Sequence, residues 1–174
     1  LVDENGCDVP AGQPGELWVS SPFVMYGYLD DPISTAEVLT DGWYHTGDVF
    51  RQDERGLYFF LDRISAMIKT GGENVYPNEV ESVLRKHPSV MDCAVFSVPD
   101  PKWGEAVAAA LVPEDGSIDL RDVHAFAKEN LAGYRKPQYY TVLSELPKTA
   151  AGKTDRRALK ESNSCTLTSI KELE

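Results

Sequence analysis

The stretch Leu61–Glu81, LDRISAMIKTGGENVYPNEVE, marks a change in the character of the chain. After Asp62-Arg63, residues Ala66 to Thr70 read as a short strand. Gly71-Gly72-Glu73-Asn74 requires a tight loop, because paired glycines admit backbone angles that other residues avoid. Pro77 opens a helix, since proline suits the first turn, where its missing N–H costs nothing. Val80, Val83 and Leu84 recur at i, i+3, i+4 and mark the buried face. His87-Pro88 ends it.

Working outward from this stretch, strands and helices continue to alternate. Val90 to Val98 and Ala106 to Val112 are two apolar strands. Asp119 is a candidate N-cap for a helix from Leu120 to Leu131, with Val123, Phe126, Ala127 and Leu131 on one face. Gln138 to Leu143 is a further strand and Thr154 to Glu161 a last short helix. Residues 64–161 therefore form an α+β unit of roughly 100 residues, with a mixed sheet and helices. Residues 162–174, SNSCTLTSIKELE, are polar and patternless and read as a flexible, frayed tail. On the other side, residues 1–63 are rich in short strands and turns. Gly15 to Ser20 alternates as a half-buried strand does. Tyr44 to Gln52 and Leu57 to Leu61 flank Asp53-Glu54-Arg55-Gly56, a hairpin signal. Pro32 to Leu39 forms one or two helical turns, stopped by Thr40-Asp41-Gly42.

Bulk properties narrow the function. The 174 residues carry a formal charge of −11, which argues against a non-specific nucleic-acid or membrane-surface role. The charge is uneven: Gly133 to Lys160 holds seven Lys/Arg against two Asp/Glu. Such a patch on an acidic chain suits a small polyanion, or is simply a solvated basic face. Cys7, Cys93 and Cys165 are far apart and form no CxxC or Cys/His spacing, so neither a zinc site nor a disulfide framework is supported. A reducing, cytoplasmic compartment fits, with no apolar run long enough to span a bilayer and no signal peptide. The chain lacks an initiator methionine and begins in a strand-like region, which reads as a fragment of a longer protein.

A second stretch, TAAGKTDRR (Thr149 to Arg157), places Lys153 in a loop of small residues just before a short helix. A surface turn would explain it. So would a mobile loop carrying one cation to an anionic substrate.

Five features, in order and spacing, decide the matter: Gly15-Glu16-Leu17 followed by Gly27-Tyr28; GWYHTGD (Gly42 to Asp48); the Leu61–Glu81 stretch; KWGEA (Lys102 to Ala106); and LPKTAAGKTDRRAL (Leu146 to Leu159). Together they resemble the C-terminal third of the adenylate-forming superfamily of acyl-CoA synthetases, peptide-synthetase adenylation domains and luciferases. The resemblance covers almost all of the chain except the tail. It implies a reaction in which a carboxylic acid attacks the α-phosphate of ATP, pyrophosphate leaves, and the acyl-adenylate is then taken by a thiol, usually that of coenzyme A. It also implies that residues 1–63 are the β-rich edge of a large domain and 64–161 a mobile lid.

Site residues follow from the resemblance, each beside a plainer alternative. Asp48 matches the ribose-binding aspartate; alone it would be a turn-capping Asp. Arg63 matches an arginine that also reaches the ribose, and would otherwise be a surface salt bridge. Tyr44 and Thr46 shape the turn, Tyr44 on the nucleotide side; His45 is given no chemistry. Lys153 matches the adenylation lysine, bridging the substrate carboxylate and an α-phosphate oxygen, electrostatic stabilisation commonly worth about 10²–10³ in rate. Lys148 belongs to the same stretch. After adenylation the lid rotates, and Gly71, Gly72 and Glu73 line a tunnel for the pantetheine thiol. Trp103-Gly104 lies near that path, although Trp103 is also a candidate packing residue. Tyr134, Arg135 and Lys136 offer an aromatic face and two cations to the nucleotide end of coenzyme A, or decorate a helix C-terminus.

The hinge falls at Ile64-Ser65-Ala66. Here the chain departs from the pattern, which usually has Asp or Lys at the position of Ser65 and often Asp at that of Ala66. The phosphate loop, the acyl pocket and the glutamate that holds Mg²⁺ are expected upstream, leaving no metal site on this chain and an isolated fragment without activity. The GGENVYP form resembles acyl- and aryl-CoA ligases. An adenylation domain loading a carrier protein, or a non-catalytic lid binding a nucleotide or partner, remains the alternative.

Overall fold

The computed structural model describes residues 1–161 and 167–170, and divides between Ser65 and Ala66 into two units. The first is built on strands β1 (Pro14–Val19), β2 (Leu39–Thr40), β3 (Trp43–Gln52) and β4 (Tyr58–Arg63), with β3 pairing antiparallel to each of the others. Helix α1 (Pro32–Val38) starts where proline stands at its N-terminus and Asp31 accepts from the Ser34 amide at 2.9 Å and its hydroxyl at 2.7 Å. Thr40-Asp41-Gly42 does more than stop this helix. Asp41 and Gly42, at φ of 52° and 82°, form the two-residue turn of a β2–β3 hairpin. Asp-Gly is the pairing such turns favour, because both central residues need positive φ. In the β3–β4 hairpin, Asp53 accepts from the Arg55 and Leu57 amides at 2.9 Å each. Strand β4 runs past Leu61 and includes Asp62 and Arg63. The unit's apolar core is thin: Val2, Val49 and Leu61 are its buried aliphatic residues, while Phe23, Leu29, Phe59 and Phe60 are exposed.

The second unit contains β5 (Ile68–Thr70), β6 (Glu73–Val75), α2 (Pro77–Leu84), β7 (Val90–Asp100), β8 (Gly104–Pro113), α3 (Leu120–Asn130), β9 (Tyr139–Val142), α4 (Arg156–Glu161) and β10 (Thr168–Ser169). Its sheet runs β10-β9-β8-β5-β6, with β7 on β8; among the described residues β8–β9 is the parallel pair, with α3 between them in sequence. The α+β class expected from the alternating pattern is the one observed. Strand β8 explains why a mixed sheet forms here. Its apolar run Ala106–Val112 is buried on both faces, as a central strand covered on both sides must be. Val107, Ala109 and Leu111 pack with Val80, Leu84, Val123 and Ala127 of α2 and α3. Ala108, Ala110 and Val112 pack with Leu146 and with Leu159 of α4. Asp119 caps α3 through the Arg121 amide at 2.9 Å.

Two local expectations change. The loop between β5 and β6 is Gly71-Gly72 alone; Glu73 and Asn74 are already in β6, paired with Thr70 and Lys69. In the stretch read as a frayed tail, residues 162–166 and 171–174 lie outside the described residues. Thr168 and Ser169, however, pair with Tyr140 and Tyr139, and Ile170 packs against the core. Two backbone pairs, with Leu167 and Ile170 as apolar anchors on either side, add an edge strand that a polar sequence conceals.

Candidate functional site

In the first unit, the β3–β4 register sets Asp48 directly opposite Arg63. The Arg63 Nε–H donates to Asp48 Oδ1 at 2.8 Å. The turn before Asp48 is held from beneath. Thr46 donates its hydroxyl to the Leu17 carbonyl at 2.8 Å and accepts from the Asp48 amide at 3.1 Å. Glu16 Oε1 accepts from the Gly47 amide, and Oε2 from the Trp18 indole, both at 2.9 Å. Trp18 in turn stacks on His45 with ring centres 3.8 Å apart. Tyr44 stands within electrostatic reach of Asp48 and Arg63. Burial, then the hydrogen-bonded Tyr28 phenol, push the Tyr44 hydroxyl above its ordinary pKa, so it remains a hydrogen-bond donor at neutral pH. One carboxylate with an oxygen not used by Arg63, one guanidinium and one phenol thus share a patch. Such a set can accept from a diol while tolerating a neighbouring phosphate.

In the second unit the residues expected to meet coenzyme A fall into two groups. Gly71 and Gly72 have φ of 58° and 86° and close the β5–β6 hairpin in two residues. The Gly71 amide donates to the Trp103 carbonyl at 3.0 Å. A Cβ on Gly71 would lie 2.7 Å from Trp103 Cε3, so glycine is required both by φ and by the ring. Lys102 Nζ sits 4.3 Å over that ring. The second group is a 3₁₀ turn, Gly133–Arg135, beside β6 and separate from the C-terminus of α3. Arg135 lies 5.4 Å from the Tyr134 ring and 3.4 Å from Glu79 Oε2, an ion pair without hydrogen-bond geometry. Burial, then Glu79, raise the pKa of nearby Tyr76. Arg135 is thus engaged by Glu79, while Lys136 is half-buried beside it. Glu73 is exposed.

Lys153 lies on a hairpin whose geometry answers why small residues precede it. The Thr149 amide donates to the Lys153 carbonyl at 2.8 Å, and the Gly152 amide to the Thr149 carbonyl at 2.9 Å. Lys148 and Thr154 form the next antiparallel bridge. This is a three-residue hairpin loop, Ala150-Ala151-Gly152, with Gly152 at φ of 76° in the bulge position where glycine is favoured. Lys153 therefore occupies the shoulder of an ordered turn. Its side chain is exposed, and among the described residues it has neither an ion pair nor a hydrogen bond.

Sequence reasoning missed three features. Glu16 and Tyr28 were visible only as parts of motifs. The third is a charge cluster around a buried carboxylate: Glu81, Arg85 and Arg156 converge on β7, with Glu81 Oε1 accepting from Arg156 Nη2 at 2.6 Å and Oε2 from Arg85 Nη2 at 3.2 Å. The Glu81–Arg85 spacing of four residues was the available signal. Among the described residues no group of His, Cys, Asp and Glu could hold a metal ion, and no helix is long and apolar enough to cross a membrane.

The α+β unit has the fold of the C-terminal domain of adenylate-forming enzymes. Residues 79–153 match the family model of the AMP-binding enzyme C-terminal domain. It is 48% identical over 154 residues to a feruloyl-CoA synthase from an Amycolatopsis species, covering 88% of this chain and 31% of that one. It is 43% identical over 161 residues to a long-chain-fatty-acid–CoA ligase of Escherichia coli O6:H1, covering 92% and 29%. Among solved structures it resembles an o-succinylbenzoate CoA synthetase from Bacillus subtilis in complex with its acyl-adenylate intermediate. That match has a TM-score of 0.86 and 36% identity, over 93% of this chain and 33% of that one. The chain spans about a third of the length of each of these relatives.

Proposed function

We propose that the chain is the C-terminal portion of an ATP-dependent carboxylic acid:CoA ligase, and that Lys153 serves its adenylation step. The observation that carries this reading is the Lys153 ammonium, presented without a partner among the described residues at the shoulder of a fixed hairpin. The carboxylate of the acid attacks the α-phosphorus of ATP; the bond to the β-phosphate oxygen breaks and pyrophosphate leaves. Lys153 offsets the negative charge gathering between carboxylate and α-phosphate, where no preformed ion pair has to be broken first. Asp48 accepts from the ribose hydroxyls, with Arg63 fixing its carboxylate and reaching the same ribose, and Tyr44 donating beside them. In the second step the coenzyme A thiolate attacks the acyl carbonyl and AMP departs.

For that step the Gly71-Gly72 turn and Trp103 line the pantetheine path, with Glu73 at its edge. Tyr134, Arg135 and Lys136 meet the nucleotide end of coenzyme A. Of the two cations, Lys136 is the freer, since Arg135 already faces Glu79. Ser65, at the boundary between the units, is the hinge. Residues 1–63 form an edge of the large domain, and the remainder of that domain covers the exposed Phe23, Leu29, Phe59 and Phe60. Mg²⁺ is held by that remainder, not by this chain. The free, buried Cys93 suits a reducing compartment, the cytoplasm.

The test uses the complete enzyme with ATP, Mg²⁺, coenzyme A and a panel of fatty and aromatic acids, followed by mass spectrometry. Acyl-CoA and acyl-AMP are expected from the wild type. Lys153→Ala should slow adenylation by about 10²–10³-fold while supplied acyl-adenylate still reacts with coenzyme A. Equal loss of both half-reactions would overturn the assignment of Lys153. Acyl-AMP without acyl-CoA would redirect the thiol step to a carrier-protein arm.

A further inference from the structure

Among the described residues strand β7 pairs with β8 alone, so its outer edge carries backbone groups that no described strand satisfies. Side chains take that place. The Val95 amide donates to Glu81 Oε1 at 2.8 Å, and the Val95 carbonyl accepts from Arg156 Nε at 3.1 Å. The Cys93 carbonyl accepts from Arg85 Nη2 at 3.0 Å. Arg156 also donates to Asn78 Oδ1 at 3.3 Å. Glu81 is only 3% exposed, so its charge depends on the two guanidiniums and the Val95 amide that surround it. A carboxylate and a planar guanidinium thus act as a short surrogate strand, and they join α2 to the first residue of α4.

Arg156 follows Lys153 by three residues, a reach of about 10 Å at most. The residues between leave little slack. The Asp155 amide donates to the Pro147 carbonyl at 2.8 Å, closing the base of the hairpin, and the Asp155 carboxylate accepts from the Ala158 amide at 2.9 Å, starting α4. Leu159 is buried in the core on that face. The Arg156 fork meets a carboxylate, a backbone carbonyl and an amide oxygen at once, a demand that one rotational setting of α4 satisfies. An apolar contact would let α4 slide; this one fixes the register of the hairpin.

We infer that Glu81 and Arg156 are positioning residues for Lys153: the pair locks the lysine-bearing hairpin to α2 and β7, so that the backbone presenting the ammonium is held in one place. The inference rests on the adenylation role proposed for Lys153. Neither residue touches the reacting atoms. Their effect is geometric, and a displacement of about 1 Å at a reacting centre is enough to cost about 10²-fold in rate.

The test compares Arg156→Lys, Glu81→Gln and Val123→Ala in the complete enzyme. Arg156→Lys keeps the charge but cannot reach Glu81 and the Val95 carbonyl together. Val123→Ala loosens the same unit from α3, away from the network. Arg156→Lys and Glu81→Gln should lower kcat for adenylation about 10–100-fold, leave the KM for ATP within about threefold, and leave thioester formation from supplied acyl-adenylate nearly unchanged. Val123→Ala should lower Tm comparably without that split. In this chain, hydrogen exchange at the Thr149 and Gly152 amides should quicken in Arg156→Lys, while peptides from 106–112 stay protected. Loss of both half-reactions in step with Tm would overturn the inference and leave the pair a stability element. Unchanged exchange at Thr149 and Gly152 would remove the lock itself. A wild-type enzyme that makes no adenylate would instead refute the proposed function, with the exchange result still deciding whether the pair holds the hairpin.

Discussion

Replacing Gly71 by alanine, with Gly72→Ala as its partner, separates two effects that the β5–β6 hairpin combines. Both glycines lie at positive φ, 58° and 86°, so alanine pays the left-handed penalty at either position, about 1–2 kcal/mol. Only Gly71 faces a ring. Its Cβ would stand 2.7 Å from Trp103 Cε3 and 3.1 Å from Cζ3, whereas a Cβ on Gly72 meets nothing within 4 Å. Ordinary carbon contact is about 3.5–4.0 Å, so the indole must withdraw by about 1 Å. Such overpacking costs about 1–3 kcal/mol. The expected losses are therefore about 1–2 kcal/mol for Gly72→Ala and about 2–5 kcal/mol for Gly71→Ala. Urea denaturation followed by circular dichroism measures both. Trp103 is 41% exposed, so the ring can swing aside instead, which would narrow the gap. Its fluorescence, isolated by subtracting the spectrum of a Trp103→Phe variant, reports that movement. Equal midpoints together with unchanged Trp103 emission would refute the steric argument. In the complete enzyme, Gly71→Ala should slow thioester formation and spare adenylation.

Cysteine chemistry gives a second expectation. Burial, only partly opposed by Arg85, pushes the Cys93 thiol up to about 12, while Cys7 is exposed. Iodoacetamide at pH 8 should label Cys7 within minutes and leave Cys93 intact until the chain unfolds, as peptide mass spectrometry would reveal; rapid labelling of native Cys93 would contradict its burial. Because the folded pKa lies above the ordinary value of 9.0, the stabilisation from neutral Cys93 is complete below about pH 9 and declines as pH rises toward 12. Removing the α3 cap with Asp119→Ala should cost about 1 kcal/mol, measured as a shifted urea midpoint; no shift would mean the Arg121 amide finds water at no cost. Asp48→Asn should weaken AMP binding by calorimetry with little change in stability, since the Asp48–Arg63 pair is half open to solvent and such pairs contribute about 0–1 kcal/mol.

Much of the fold is legible in the chain because its signals are local. Pro77 with Val80 and Leu84, Asp119 with Val123 and Ala127, and the unbroken apolar run of β8 each specify an element within a dozen residues. The β2–β3 hairpin is harder to see, since a two-residue strand shows no periodicity and its Asp41-Gly42 turn also reads as a helix stop. The same holds for β10, where Thr168 and Ser169 are polar and pair with Tyr140 and Tyr139, which lie far off in sequence. Among candidate residues, Lys153 and the Gly71-Gly72 pair stand out because their local conformations demand glycine nearby.

Residue types and their spacing are local facts: a carboxylate after Thr-Gly, a lysine after Ala-Ala-Gly, and paired glycines before a proline-led helix. Which of them meet is a matter of the packed fold. It set Asp48 against Arg63 through strand register, and the Gly71 backbone against Trp103 across two hairpins. It brought Arg156 to Glu81, 75 positions apart in sequence, at 2.6 Å. The physical reason is that periodicity and capping act over one or two turns of chain. Satisfying the open edge of β7 and neutralising a buried carboxylate are demands of the packed molecule, met by whichever side chains the fold carries there.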